Sequence, residues 1–345
     1  MTHAGKRVGI VDIAKAVGVS KASVSYALNG TGRLDPETRD RILKAAGDLG
    51  YKANFSARNL RRKGTGVVIV GLSIAPTSTR SSQDMRYFMA AWQGALDVAL
   101  ERGYLMLFAP SQVFAQRLDH IPCDGAIVMD ARTPDPLVGK FLKAGIPVVT
   151  IGQDTTLEAN PKLGLVDSPH GEIAQKALDL MSARGARQVA LIQGSSAYHF
   201  NRLVREAYEA FCSRTDQVPQ IVDVGYVASE TAGHDAMHAL LSRDDPPDAV
   251  FAGLDRLATG ALLAVERAGL KVPDDVMIAA GSDGLTERSS IPITSSELYP
   301  DQLGRSAMDM LIRHIETGDE MGRIIIPGAL NERASTAASL KETVK

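Results

Sequence analysis

Cysteine is nearly absent. Cys123 and Cys212 are the only two in 345 residues, and their separation matches no metal-binding spacing. A disulfide framework is therefore not expected. Long apolar runs are missing as well: the best, Val67 to Leu72, falls far short of the ~20 residues that a membrane-spanning helix needs. The opening stretch MTHAGKRVG lacks the apolar segment of a secretory signal, so the expectation is a cytoplasmic protein with no membrane attachment. There is no internal repeat of fixed period and no low-complexity tract.

Net charge is small too, at −2, but it is unevenly spread. Residues 1–63 carry 13 Lys/Arg against 5 Asp/Glu, and the remainder carries 25 against 35. A basic head on an acidic body suits nucleic-acid contact at one end, because phosphate neutralisation needs dense local cations. A basic solvated face is the alternative that charge alone leaves open. With 45% hydrophobic and 23% charged residues, the chain is an ordinary folded protein, long enough for two or three domains.

The first sixty residues predict three short helices. Ile10, Ile13, Ala14 and Val17 form one apolar stripe, ended by Gly18. Ser20 is a good N-cap for the next helix. There Val24, Ala27 and Leu28 face inward, while Lys21, Ala22, Ser25, Tyr26 and Asn29 point away. Asp35-Pro36 starts a third, with Ile42, Ala45, Ala46 and Leu49 as its stripe and Gly50 as its stop.

After Gly64 and Gly66, short apolar runs alternate with amphipathic segments. Strands are predicted at Val67–Ile74, Leu105–Ala109, Ala126–Met129, Val148–Ile151, Leu163–Val166, Val189–Gln193, Ile221–Val224, Ala249–Ala252 and Val276–Ala280. Helices are predicted at Met85–Arg102, His170–Arg184, Arg202–Arg214, Thr231–Ser242 and Arg256–Ala268. This alternation implies parallel sheets with helices on both faces, and its length implies two such sheets.

The sharpest motif runs from Val11 to Gly30, VDIAKAVGVSKASVSYALNG. It is a helix-turn-helix whose second helix presents small polar residues at its N-terminal end, narrow enough for a major groove. With Pro36-Glu37-Thr38-Arg39, Leu49-Gly50-Tyr51, Asn54, Ala57-Arg58-Asn59-Leu60 and the late Arg333-Ala334-Ser335-Thr336, it resembles the LacI/GalR family of bacterial transcriptional repressors. The likeness extends from about Val8 to Thr336.

The resemblance implies a small all-α helix-turn-helix headpiece joined to an α/β two-lobed body of the periplasmic-binding-protein type. The headpiece would span 1–63, with a hinge segment at 54–63, and the effector-binding and dimerisation domain 64–345. Its N-subdomain would take about 66–166 and 297–320, and its C-subdomain about 167–296 and 321–340. Lys21 and Ala22 would read bases. Ser20, Ser23, Ser25, Tyr26, Asn29, Tyr51, Asn54 and Ala57 would share the other DNA contacts, and Leu60 would wedge into the minor groove. A flexible basic linker remains the alternative for the hinge.

Two departures stand out. Tyr26 replaces a common arginine, and Gly9 replaces the usual threonine cap of the first helix, removing a cap oxygen. In the body, Tyr87, Phe88, Arg202 and Asp255 match positions that hold the effector in relatives, although aromatics near a strand end are often core. Leu254 and Leu298 stand where asparagine and glutamine are common, which makes the pocket more apolar.

The expected function is thus a repressor that binds double-stranded operator DNA as a homodimer, controlled by a sugar, sugar derivative or nucleobase between the lobes. No cofactor is expected. Only nine residues follow Thr336, too few for an added coiled coil. Two rivals are weaker. A periplasmic solute-binding protein lacks a reason for the headpiece, and an enzyme lacks a catalytic constellation. His234-Asp235-Ala236-Met237-His238 has no third metal ligand in view, Gly30-Thr31-Gly32 lacks the third glycine of a dinucleotide loop, and Gly281-Ser282-Asp283-Gly284 is no nucleophile elbow.

Overall fold

The structure is a computed structural model, and it describes residues 8–29, 32–51, 64–73, 82–110, 120–284 and 286–337. The chain divides into two compact units, Met1–Thr65 and Gly66–Lys345. Asn54, Ala57, Leu60 and the hinge segment lie outside the described residues.

The first unit holds α1 (Ile10–Val17), α2 (Lys21–Asn29) and α3 (Pro36–Asp48). Ile13, Ala14, Val24, Ala27, Ile42 and Ala46 meet in its core, and Leu28, Leu34 and Tyr51 pack around them. Each buried aliphatic side chain contributes about 1.5–3 kcal/mol, so this small core depends on well-made helix ends. Asp35 supplies one: its carboxylate accepts the Thr38 N–H at 3.0 Å. The Thr38 hydroxyl and then this N–H hold its carboxyl below the usual carboxylate range.

The second unit contains two six-stranded sheets. The first lobe is built from β1 (Val67–Leu72), α4 (Ser82–Glu101), β2 (Leu105–Pro110), β3 (Gly125–Met129), α5 (Pro136–Lys143), β4 (Val148–Ile151) and β5 (Leu163–Asp167). The second lobe follows with α6 (His170–Ala183), β6 (Val189–Gln193), α7 (His199–Thr215), β7 (Gln220–Asp223), α8 (Glu230–Leu241), β8 (Ala249–Ala252), α9 (Asp255–Arg267), β9 (Met277–Ala280) and β10 (Thr294–Glu297). The chain then returns as α10 (Pro300–Thr317), β11 (Arg323–Ile325) and β12 (Ala329–Asn331).

Strand order is β2-β1-β3-β4-β5-β11 in one sheet and β7-β6-β8-β9-β10-β12 in the other. All pairings are parallel except β12 against β10. The central strands are buried on both faces, which is why they read as unbroken apolar runs in the sequence.

Three short segments cross between the lobes, after β5, after β10 and after β11. The last corrects the expected boundary at 321–340. Residues 323–325 pair with β5 in the first lobe, and the chain belongs to the second from the strand at 329–331 onward. A three-residue strand carries too little pattern to be assigned from sequence, and the same brevity hid β12, while the four residues of β10, TSSE, form no apolar run.

Helix α10 packs against α4 at glycine contacts. A Cβ on Gly304 would stand 1.8 Å from the Ala91 carbonyl oxygen, and one on Gly94 2.0 Å from that of Asp301. Only glycine permits so close an approach.

Candidate nucleic-acid interface and effector cleft

Gly18 ends α1 in the left-handed region at φ 75°, and the N–H groups of Gly18 and Val19 donate to the Ala14 carbonyl at 3.0 and 3.1 Å. Ser20 then caps α2, its Oγ accepting the Ser23 N–H at 3.0 Å. Because Val24 and Ala27 face the core, Lys21, Ala22 and Tyr26 are turned to solvent, and Ser23 and Ser25 are half-buried. Asn29 is the last residue of α2. Tyr26 is 45% exposed, but its ring rests on the backbone at Gly32, where a Cβ would come within 2.7 Å.

At the first helix the missing cap side chain is partly replaced. The Asp12 carboxylate accepts the Gly9 N–H at 2.8 Å, and the Gly9 carbonyl accepts the Asp12 N–H at 3.0 Å. Arg41 of α3 donates to the Val17 carbonyl at 3.0 Å, fixing the end of α1. Tyr51 is half-buried against the headpiece core, so much of its ring has a packing role.

In the body, the candidate effector residues lie on helices that follow the carboxyl ends of strands, α4 after β1, α7 after β6 and α9 after β8, the ends at which open α/β sheets bind ligands. Tyr87 and Phe88 make an edge-to-face pair with centroids 5.4 Å apart. Their fates differ. Phe88 is buried in the core between α4 and the first sheet, whereas Tyr87 packs at its margin. Burial, then the carboxylates of Asp130 and Asp167, push the Tyr87 phenol well above its ordinary value, so it remains a hydrogen-bond donor.

Arg202 lies in α7 and reaches across to the first lobe. Its Nη1 donates to the Ser196 carbonyl at 2.6 Å, and its Nη2 lies 3.1 Å from Thr133 Oγ1, 3.2 Å from Thr155 Oγ1 and 3.2 Å from His199 Nδ1. Asp255 opens α9, its backbone N–H donating to Ser282 Oγ at 3.0 Å and its carboxylate crowding Gly284. Leu254, just before it, packs on the second-lobe core, and Leu298 is buried.

Sequence reasoning missed Asp283 and the partners of Arg202. The Asp283 carboxylate accepts from Arg333 Nη2 at 2.6 Å, Asn331 Nδ2 at 3.0 Å and Thr286 Oγ1. Burial raises its pKa, but those bonds outweigh it and hold the carboxyl below the ordinary range. Its place just beyond β9, at the end of a parallel strand, was the available signal. The partners Arg333 and Asn331 lie about fifty residues away and gave none. His234 and His238 stack at 6.4 Å, with Arg267 and Asp235 beside His234. Among the described residues no group of three or more potential ligands is suited to hold a metal, and no helix among them is long and apolar enough to cross a membrane.

A polar recognition helix on a basic unit, carried by a two-lobed α/β body, makes this a DNA-binding transcriptional regulator. The model for bacterial regulatory proteins of the lacI family matches residues 9–54, and that for the periplasmic binding protein-like domain matches residues 178–336. The first unit thus carries a lacI-family DNA-binding domain, and the chain is similar to regulators of that family along nearly its whole length.

Among its relatives, the regulator CelR of Thermobifida fusca is 28% identical over 339 residues, covering 94% of this chain and 96% of the relative. The repressor PurR of Escherichia coli is 26% identical over 343 residues, covering 95% and 96%. Both are transcriptional regulators rather than enzymes. The solved complex of CelR with cellobiose superimposes with a TM-score of 0.70 at 23% identity, covering 95% of this chain and all of that one. The lac repressor dimer bound to operator and an anti-inducer gives 0.72 at 18% identity, covering 96% and 99%.

Proposed function

We propose that this regulator is a repressor, binding a near-palindromic operator as a homodimer and switched by a small polar effector held between the lobes. The observation that supports the reading is the position of the candidate residues at the carboxyl ends of strands in both lobes. Tyr87 comes from the first lobe, and Arg202 and Asp255 come from the second, each beside the carboxyl ends of strands. One aromatic ring, one cation and one carboxylate suit a sugar, a sugar derivative or a nucleobase. That the named relatives include a sugar-bound regulator and a purine repressor supports this range.

On the headpiece, Lys21 and Ala22 lead base reading, with Ser20, Ser23, Ser25, Tyr26 and Asn29 beside them. Tyr51, Asn54 and Ala57 would add backbone contacts, and Leu60 would wedge the minor groove. Two exposed apolar patches support dimerisation. Met89, Leu100, Leu105 and Leu107 lie on α4 and the edge strand β2, and Tyr226 and Val227 follow the edge strand β7.

A thermal-shift screen against sugars, sugar phosphates and purines tests the effector, since a ligand of the folded state raises its melting temperature. A hit that also changes operator affinity supports the reading. A hit that leaves operator affinity unchanged would contradict it.

A further inference from the structure

We propose that Arg202 is the fork of a polar clasp that holds the two lobes shut at the mouth of the cleft. This rests on the reading of that cleft as the effector site. The three chain crossings follow β5, β10 and β11, but the clasp joins other segments, the loops after β3 and β4 in the first lobe to the loop after β6 and the start of α7 in the second. No covalent connection ties those loops directly. Separating the lobes there breaks every bond between them.

The bonds form a set. The Thr133 N–H donates to the Ala197 carbonyl at 2.8 Å, and Arg132 and Tyr198 make an isolated antiparallel bridge beside it. Thr133 Oγ1 donates to the Gln153 carbonyl at 3.4 Å and accepts the Thr155 N–H at 3.3 Å, which leaves one lone pair for Arg202. Thr155 Oγ1 receives the same guanidinium nitrogen, and Ser196 and His199 hold the fork from its own lobe. With both terminal nitrogens engaged, Arg202 acts here as a positioning residue for closure.

Closure also has a cost written into the same loops. Arg132 Nε is buried with no hydrogen-bond partner among the described residues, and opening would return it to water. A clasp opposed by a dehydrated polar atom is a two-state element that a modest ligand preference can shift.

The Thr133 amide reports the clasp directly, and the test is amide hydrogen exchange on the ligand-free full-length protein. Thr155→Val removes one acceptor from an exposed side chain, and Arg202→Gln removes the fork. Both should speed exchange at Thr133 by about tenfold, the scale of one lost hydrogen bond, while Ala190 in β6 and Val250 in β8 stay protected. Thr155→Ser keeps the acceptor and should retain the slow rate. Unchanged exchange at Thr133 in both variants would overturn the clasp. So would equal acceleration in Thr155→Ser, or a rise shared by Ala190 and Val250. The measurement needs no effector, so its failure would leave the effector reading standing.

Discussion

His199 gives the clasp a proton sensitivity that its neighbours set. Burial and then the Arg202 guanidinium push its pKa below the ordinary 6.5, against Asp167 and Glu206, which raise it, and with Arg323, which lowers it further. A neutral ring offers Nδ1 to Arg202, while a protonated one confronts it with a second cation. Because the fold depresses this pKa, the contribution of the neutral ring is fully present above 6.5 and declines as pH falls toward the depressed value. Thr133 exchange, corrected for intrinsic chemistry, should therefore accelerate as pH falls below the ordinary 6.5 toward the depressed value. His199→Gln should lose that dependence, and an identical pH profile in the variant would remove His199 from the account.

Asp255 carries a different expectation. It bonds Ser282 within its own lobe, so Asp255→Ala should leave operator affinity near normal. Effector affinity should fall by about 1–3 kcal/mol, because a polar ligand group loses its partner. Calorimetry with a ligand from the screen reads this directly. Unchanged affinity would place the ligand elsewhere.

Among the elements, the α4–α10 contact is the least forgiving. Gly304→Ala would drive a methyl into the Ala91 carbonyl, and overpacking of this kind costs about 1–3 kcal/mol. Denaturant unfolding should show that loss with DNA contacts untouched. At α2, Ser20→Ala removes the oxygen that receives the Ser23 N–H, at a cost of about 0.5–2 kcal/mol. It should weaken the headpiece and operator binding together, as circular dichroism and operator titration would show.

The headpiece helices were legible because stripe, cap and stop coincide: Ile13 and Ala14 lie buried, Ser20 caps, and Gly18 ends the turn. The interior strands were legible because burial on both faces leaves only apolar residues. Three features were harder. Helix α7 begins at His199, three residues before the expected Arg202, because Tyr198 caps it without a side-chain bond. Helix α5, capped by Asp135, is only eight residues long and gave no clear period. In the cleft, Tyr87 and Arg202 carried a signal, while Thr133 and Thr155 gave none. A threonine that accepts from a distant arginine looks like any surface threonine in sequence.

At the scale of the whole molecule, the charge division and the fold division nearly coincide. The basic excess of residues 1–63 falls within the unit ending at Thr65, and the acidic excess falls on the two-lobed body. DNA affinity should therefore reside in the first unit and fall steeply with salt, since each neutralised phosphate releases counterions. The body should contribute by pairing two headpieces and by the state of its cleft. An effector that prefers one lobe arrangement changes operator affinity by its differential affinity and no more.

The most direct measurement compares operator affinity of the full chain and of residues 66–345 across about 50 to 200 mM salt. The full chain should bind with a steep negative slope of affinity against salt, and the body alone should show no specific binding. Comparable affinity and slope for the body would contradict the assignment of DNA recognition to the helix-turn-helix unit.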